Sequence, residues 1–332
     1  MVKNTLGGVL LSDKSFQPVS GFDLPRFAGV PTFMRLPYVE EGSELYSKTE
    51  IGLIGIPWDG GTTNRPGARH GPRQVRDLST MIRAMHPATG TKPYELCNCA
   101  DLGDVAPNPA GLEDTLERVT TYYKRIQKDG IVPLSVGGDH LTSLPVLRGL
   151  SNGRALSMIH FDAHTDLFEG YFNGTMYTHG TPFRRAIEEG LLDPTKVVQI
   201  GIRGTMYDGE DIEWGRERGV TIIDIDECMK RGYEDVMAQA REIVGDTETY
   251  VSFDIDFIDP AFAPGTGTPE IGGVDTWTAQ QYVRGLAGVN VIGADMVEVS
   301  PPFDASGNTA WVGASILFEL LCILAEANSN NA

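Results

Sequence analysis

Six residues in a chain of 332 have the types and spacing to hold metal ions. Asp162, His164 and Asp166 stand at i, i+2 and i+4, a step that sends side chains to one side of extended backbone. Asp254 and Asp256 repeat the i, i+2 step, and His140 ends a Gly137-Gly138-Asp139-His140 turn. Four carboxylates gathered together repel, and at least one would be driven neutral. Divalent cations remove that conflict. Six oxygen and nitrogen ligands suit two metals sharing bridging carboxylates. A mixed Asp/His set without thiolate points to Mn²⁺, Ni²⁺, Fe²⁺ or Co²⁺ over structural zinc. Taken alone, each motif is more often a solvated loop or a turn. Their joint occurrence, each at the end of an apolar strand, carries the metal reading.

The elements that must position these residues alternate. Apolar runs at 131–136, 155–161, 249–253 and 289–296 lead respectively into Gly137-Gly138-Asp139-His140, Asp162-Ala163-His164-Thr165-Asp166, Asp254-Ile255-Asp256 and Glu298. Further strands are expected at 50–57, 96–102, 196–200 and 220–223. Helices are expected at 72–85, 112–128, 142–149, 181–189, 211–218, 233–244, 278–286 and 309–327. Eight strand–helix alternations with near-continuous apolar strands imply an α/β fold, a parallel sheet covered on both faces. In such folds ligands gather beyond the carboxyl ends of the strands, where every motif above falls. Residues 1–48, rich in Pro and Gly, read as an arm running over a surface. Residues 49–328 read as one domain.

The chain has 27 basic and 45 acidic residues, a net charge of −18. That argues against a nucleic-acid binder, whose affinity rests on Lys and Arg against phosphate. Four cysteines are too few for a disulfide scaffold. Residues 1–15 show no signal-peptide pattern. The apolar run 310–327 carries Glu319 and Glu326, so it reads as a buried helix rather than a membrane span. A cytoplasmic location is expected.

The motifs together resemble the ureohydrolases: arginase, agmatinase, guanidinobutyrase, guanidinopropionase, proclavaminate amidinohydrolase and guanidine hydrolase. To those above add His179-Gly180-Thr181, the run Asp259 to Pro269, and Glu298-Val299-Ser300-Pro301. Pro31 to Pro37 and Arg65 to Pro72 are similar to the agmatinase-like branch. The resemblance implies an arginase-like three-layer α/β/α fold and two divalent metal ions per subunit. It implies one metal on His140, Asp162, Asp166 and Asp254, and the other on Asp162, His164, Asp254 and Asp256, with Asp162 and Asp254 bridging. His179 matches the family's proton-shuttling histidine, and Glu298 the carboxylate that grips the guanidinium. The implied product is urea, and the implied assembly a homo-oligomer, trimer or hexamer. The physical logic agrees. A guanidinium carbon is a poor electrophile and needs hydroxide, and metal binding lowers the pKa of water from about 15.7 to as low as about 7.

For the substrate, the loops expected at the mouth are bulky, aromatic and poor in Lys. They carry Trp58, Phe168, Tyr171, Phe172, Tyr177 and Trp277. Such bulk would close a tail channel and favour a small cation. Trp277 and the Thr62-Thr63 pair resemble the guanidine hydrolases, which use nickel. Free guanidine is therefore the first expectation, with Ni²⁺ favoured over Mn²⁺ and with Thr63, Trp277, Phe168 and Tyr177 as substrate contacts. The alternative is a guanidinobutyrase or guanidinopropionase, then an agmatinase or a dimethylguanidine-type or biguanide hydrolase. An inactive metal-binding subunit of a hetero-oligomer is the reading from another class. His70 is expected to support its loop, His86 to lie at the surface, and His160 to pack or hydrogen-bond rather than ligate. Trp311 is expected in the core or at a subunit contact.

Overall fold

The computed structural model describes residues 5–6, 9–10 and 12–331. The segment read above for a targeting signal therefore lies partly outside the described residues. Eight strands form one sheet: β1 (Ile51–Gly55), β2 (Cys99–Asp104), β3 (Val132–Val136), β4 (Leu156–Phe161), β5 (Leu192–Ile202), β6 (Thr221–Asp224), β7 (Thr249–Asp254) and β8 (Val291–Val297). Their spatial order is β2-β1-β3-β8-β7-β4-β5-β6, and every adjacent pair is parallel. Parallel neighbours need crossover connections, and these are helical. The helices are α1 (Gly71–Leu78), α2 (Pro93–Leu96), α3 (Leu112–Lys128), α4 (Ser143–Leu150), α5 (Pro182–Glu188), α6 (Glu210–Arg218), α7 (Ile225–Arg231), α8 (Tyr233–Val244), α9 (Thr276–Arg284) and α10 (Asn308–Asn331).

Strands β1, β4 and β7 are buried along their whole length, as sheets covered on both faces require. Two apolar layers result. One joins Leu134, Ile159, Val251 and Met296 to α8, α9 and α10. The other joins Ile54, Met158 and Tyr250 to α3 and α4. The run expected to be a core helix is one. Glu319 of α10 is buried there, paired with Arg284 at 2.6 Å and with His86 at 3.0 Å.

Several expectations shift. The helix expected over 72–85 stops at Leu78 and tightens into a 3₁₀ turn at Ser79–Met81. There Ser79 Oγ donates to Arg76 O and accepts the Met34 N–H, and Met85 is left exposed. The strand expected from residue 96 begins at Cys99, because Pro93 starts a helical turn. Helix α7 was not expected; Asp224 caps it by accepting the Glu227 N–H at 2.8 Å. His86, expected at the surface, is 2 % exposed. His70 is exposed in a 3₁₀ turn. Trp311 packs partly buried against the core.

The arm lies on its own chain. Phe33 N–H donates to Asp101 Oδ2 and Val39 N–H to Asp101 O, while Phe16, Phe33 and Met34 are buried. Phe22, Phe27 and Val30 between them are exposed.

Candidate metal centre

Four strand ends meet at the centre of the sheet. β3, β8, β7 and β4 are consecutive neighbours, and their carboxyl ends carry His140, Glu298, Asp254 with Asp256, and Asp162 with its following loop. The turn after β3 is tight because Gly138 lies against the backbone of Trp58. A Cβ there would sit 1.5 Å from the Trp58 carbonyl oxygen, which the Asp139 N–H reaches at 2.9 Å.

His140 Nδ1 stands 3.1 Å from Asp162 Oδ2, 3.0 Å from Asp166 Oδ2 and 3.1 Å from Asp254 Oδ2. It is buried and makes a hydrogen bond to none of them. On the other side, His164 Nδ1 lies 3.1 Å from Asp256 Oδ2 and 3.4 Å from Asp162 Oδ1. Asp256 Oδ2 is likewise buried without a hydrogen bond. Asp162, His164 and Asp256 offer ligand atoms within 4.8 Å of one another. Buried polar atoms in proteins are almost always bonded. Atoms that converge on a shared point without pairing are what a cation cage presents, and this one offers imidazole nitrogen and carboxylate oxygen only. The residues fit two divalent ions, and all six expected ligands are brought together.

The remaining contacts orient these groups. Asp254 Oδ1 accepts the Asp256 N–H at 2.8 Å, Asp256 Oδ1 the Ala163 N–H at 3.1 Å, and Asp162 Oδ1 the His164 N–H at 2.6 Å. Burial and the neighbouring Asp256 and Asp162 charges push Asp254 well above the usual carboxylate range. Burial and the Asp162 charge raise Asp256 to about 6. Burial opposes charge on Asp162 too, but the imidazoles of His160 and His140 hold it well below that range. Asp166 and Glu298 adopt φ of 53° and 65°, a left-handed conformation that costs about 1–3 kcal/mol in a non-glycine residue and gathers at functional sites.

His179 and Glu298 sit beside the cage. His179 Nδ1–H donates to Glu298 Oε1 at 2.8 Å, and its Nε2 lies 2.8 Å from Thr63 Oγ1. Glu298 Oε1 also accepts the His140 N–H at 3.0 Å. Burial alone would lower the His179 pKa, yet the Glu298 carboxylate raises it to about 9. With no ion in the cage, the imidazole is thus held in its charged form at neutral pH.

These groups open into a cavity of about 520 Å³. Thr63 and Phe168 line it, as expected. Trp277 and Tyr177 do not. Trp277 is 58 % exposed at the start of α9, its ring edge-on to Tyr233, and Tyr177 lies under the Arg148 guanidinium. The small-pocket expectation thereby loses Trp277 and Tyr177 from its wall, while Phe168 and Tyr171 of the same aromatic loop do line the cavity. Loop 203–212 was missed. It adds Arg203, Thr205, Met206, Tyr207 and Asp211 to the wall. Its signal was available, since Arg203 follows the carboxyl end of β5.

A family profile described as the arginase family matches residues 49–322. The guanidinopropionase of Pseudomonas aeruginosa is 55 % identical over 97 % of this chain and 100 % of its own length. The guanidinobutyrase of the same organism is 47 % identical over 93 % of this chain and 96 % of its own. Among solved structures, proclavaminate amidinohydrolase from Streptomyces clavuligerus superposes with a TM-score of 0.86 at 37 % identity, covering 91 % of this chain and 99 % of that one. The sheet order, the strand-end ligand cage and these likenesses agree: the chain belongs to the arginase family, as a ureohydrolase of its agmatinase-like branch.

Proposed function

We propose that this ureohydrolase cleaves a short ω-guanidino acid, guanidinopropionate first and guanidinobutyrate second, into urea and an ω-amino acid. The observation that carries the reading is the cavity wall. A space of about 520 Å³ leaves room for a tail, and Arg65 and Arg203 line it. Arg203 spends its donors on the main-chain carbonyls of Asp256, Glu270, Gly201 and Phe257. Arg65 stacks on Phe303 with 3.8 Å between its guanidinium carbon and the ring centre. Among the described residues neither forms a close ion pair with a carboxylate; the Arg203 charge also acts on Asp259, so Arg65 is the freer of the two to attract an anionic tail. The 55 % identity to a guanidinopropionase supports the same class. Free guanidine keeps one support, the aromatic group of Phe168, Tyr171 and Tyr207 on the same wall.

Glu298 would hold the planar cation by charge-assisted hydrogen bonds. Bound in the cage, a divalent pair would supply a hydroxide nucleophile at neutral pH. As the C–N bond breaks, the departing amine needs a proton. His179 is placed and charged to give it, with Thr63 holding its Nε2. We assign the cage to Mn²⁺, with Ni²⁺ as the alternative. The expected preference for nickel rested on Trp277 and the Thr62-Thr63 pair; Trp277 lies away from the cavity, and Thr63, which lines it, is left as the one support for nickel.

The test is urea release over guanidine, guanidinoacetate, guanidinopropionate, guanidinobutyrate, agmatine and arginine, with separate Mn²⁺ and Ni²⁺ loading. The guanidino acids of three and four carbons should give the highest kcat/KM. A clear preference for guanidine or agmatine contradicts the reading.

A further inference from the structure

Beneath the ligand layer runs a second row of polar side chains that the chemistry above does not use. Cross-strand register places Ser135 opposite Asp295, Asp295 opposite Ser252, Ser252 opposite His160 and His160 opposite Gln199. Five neighbouring strands, β3, β8, β7, β4 and β5, contribute one residue each, and none is more than 2 % exposed. Directly opposed residues share a face. Asp254 and Asp162 follow Ser252 and His160 by two positions, so the row and these ligands share that face too. A buried polar row costs stability unless its groups are bonded; Ser135 bonds the Tyr123 hydroxyl, and the bonds of Ser252 and His160 lead to the ligands.

We infer that Asp295 and Ser252 are positioning residues that fix the ring proton of His140 on Nε2, leaving Nδ1 bare for a metal. Asp295 accepts three hydroxyls: Ser252 Oγ at 2.7 Å, Tyr250 OH at 2.7 Å and Ser143 Oγ at 2.6 Å. A hydroxyl has one proton, and Ser252 gives its proton to this carboxylate. Only lone pairs remain on Ser252 Oγ to meet His140 Nε2, 2.8 Å away. That nitrogen must therefore be the donor. The other ring nitrogen, Nδ1, faces Asp162, Asp166 and Asp254 with its lone pair, the form a cation requires. The same logic repeats along the row. Gln199 Nε2 donates to Thr165 O at 2.6 Å and to His160 Nδ1 at 3.1 Å. The flipped amide would set its oxygen against the Thr165 carbonyl. His160 Nε2–H is thereby aimed at Asp162 Oδ2, 2.8 Å away, which makes His160 a donor to a ligand rather than a ligand.

The test strips the full-length protein of metal and titrates it with Mn²⁺ against a competing chelator. Ser252→Ala should weaken one of the two sites by about 10–100-fold and leave the other within about threefold. Ser252→Thr keeps the hydroxyl and should restore the weakened site. Tyr250→Phe removes a different hydroxyl from Asp295 without touching Ser252 and should change neither site by more than about threefold. Wild-type affinity at both sites in Ser252→Ala overturns the inference. So does a Tyr250→Phe defect as large as that of Ser252→Ala, which would mean general loss of packing. Should Ser252→Ala fail to fold, the ¹⁵N ring spectrum of His140 in the wild type loaded with diamagnetic Zn²⁺ decides. A proton on Nε2 upholds the inference, and a bare Nε2 overturns it.

Discussion

The ligand cage and the cavity wall are built by different means. His140, Asp162, Asp254 and Asp256 ride on or beside strand ends and are at most 2 % exposed. Their neighbours in the sheet are fixed by register, and their backbones are held by main-chain bonds. The wall comes from loops 63–65, 168–180, 203–212 and 267–270, where Phe172, Met206 and Tyr207 stand largely exposed. Chemistry that must be held to a fraction of an ångström sits on rigid elements. Discrimination between tails is left to segments that can change without disturbing the sheet. The contrast is open to attack at both ends.

The largest effect belongs to the cage. Asp254→Ala removes the carboxylate that faces His140 and, through its Oδ1, fixes Asp256. It should empty most of the metal and reduce urea release to background, as read by metal analysis on the purified variant. Two ions per chain with full activity would remove Asp254 from the centre.

Next is the acid. His179→Asn should leave metal content unchanged and lower kcat by about 10²–10⁴-fold. The same residue makes a pH prediction. Its folded pKa, about 9, lies above the ordinary 6.5. Its pairing with Glu298 therefore contributes stability fully below about pH 6.5 and loses it as pH rises through about 9. The gap in Tm between metal-free wild type and metal-free His179→Asn should be widest near pH 6 and shrink by pH 10. A gap that widens with pH reverses the assignment of charge.

The wall should give smaller, selective effects. Arg65→Met should lower kcat/KM for guanidinopropionate roughly 10-fold, the scale of one charge-assisted contact, and leave guanidine nearly unchanged. An equal loss on both substrates would make Arg65 structural. Smallest of all is Trp277→Ala. The exposed ring touches no part of the cavity, so kcat/KM should stay within about twofold and stability within about 0.5 kcal/mol.

The same division explains what could be read from the chain. The ligands were legible because their spacing is local. Asp162-Ala163-His164-Thr165-Asp166 and Asp254-Ile255-Asp256 each state a strand end and a ligand set within five residues or fewer. Strand existence was legible from apolar runs, and all eight strands form. Boundaries slipped where a local interaction competes with periodicity, as at Ser79, where a side chain ties down the arm, and at Asp224, which starts α7. The wall was misread because its members meet only through the fold. Trp277 follows a Gly-rich loop near the site, yet the start of α9 carries it to the surface. The polar row lies between these cases. Ser135, Gln199, Ser252 and Asp295 each interrupt an apolar strand, a visible signal. That they stand side by side depends on a strand order in which sequence neighbours are often separated.

The central claim is that two divalent ions in the strand-end cage, acting with His179 and Glu298, hydrolyse an ω-guanidino acid. The most direct measurement is a Mn²⁺ titration of the stripped protein with urea release from guanidinopropionate followed at each step. The account predicts no release without metal and a rise that levels at two ions per chain. Release from the stripped protein, or a plateau reached at one ion, would contradict it.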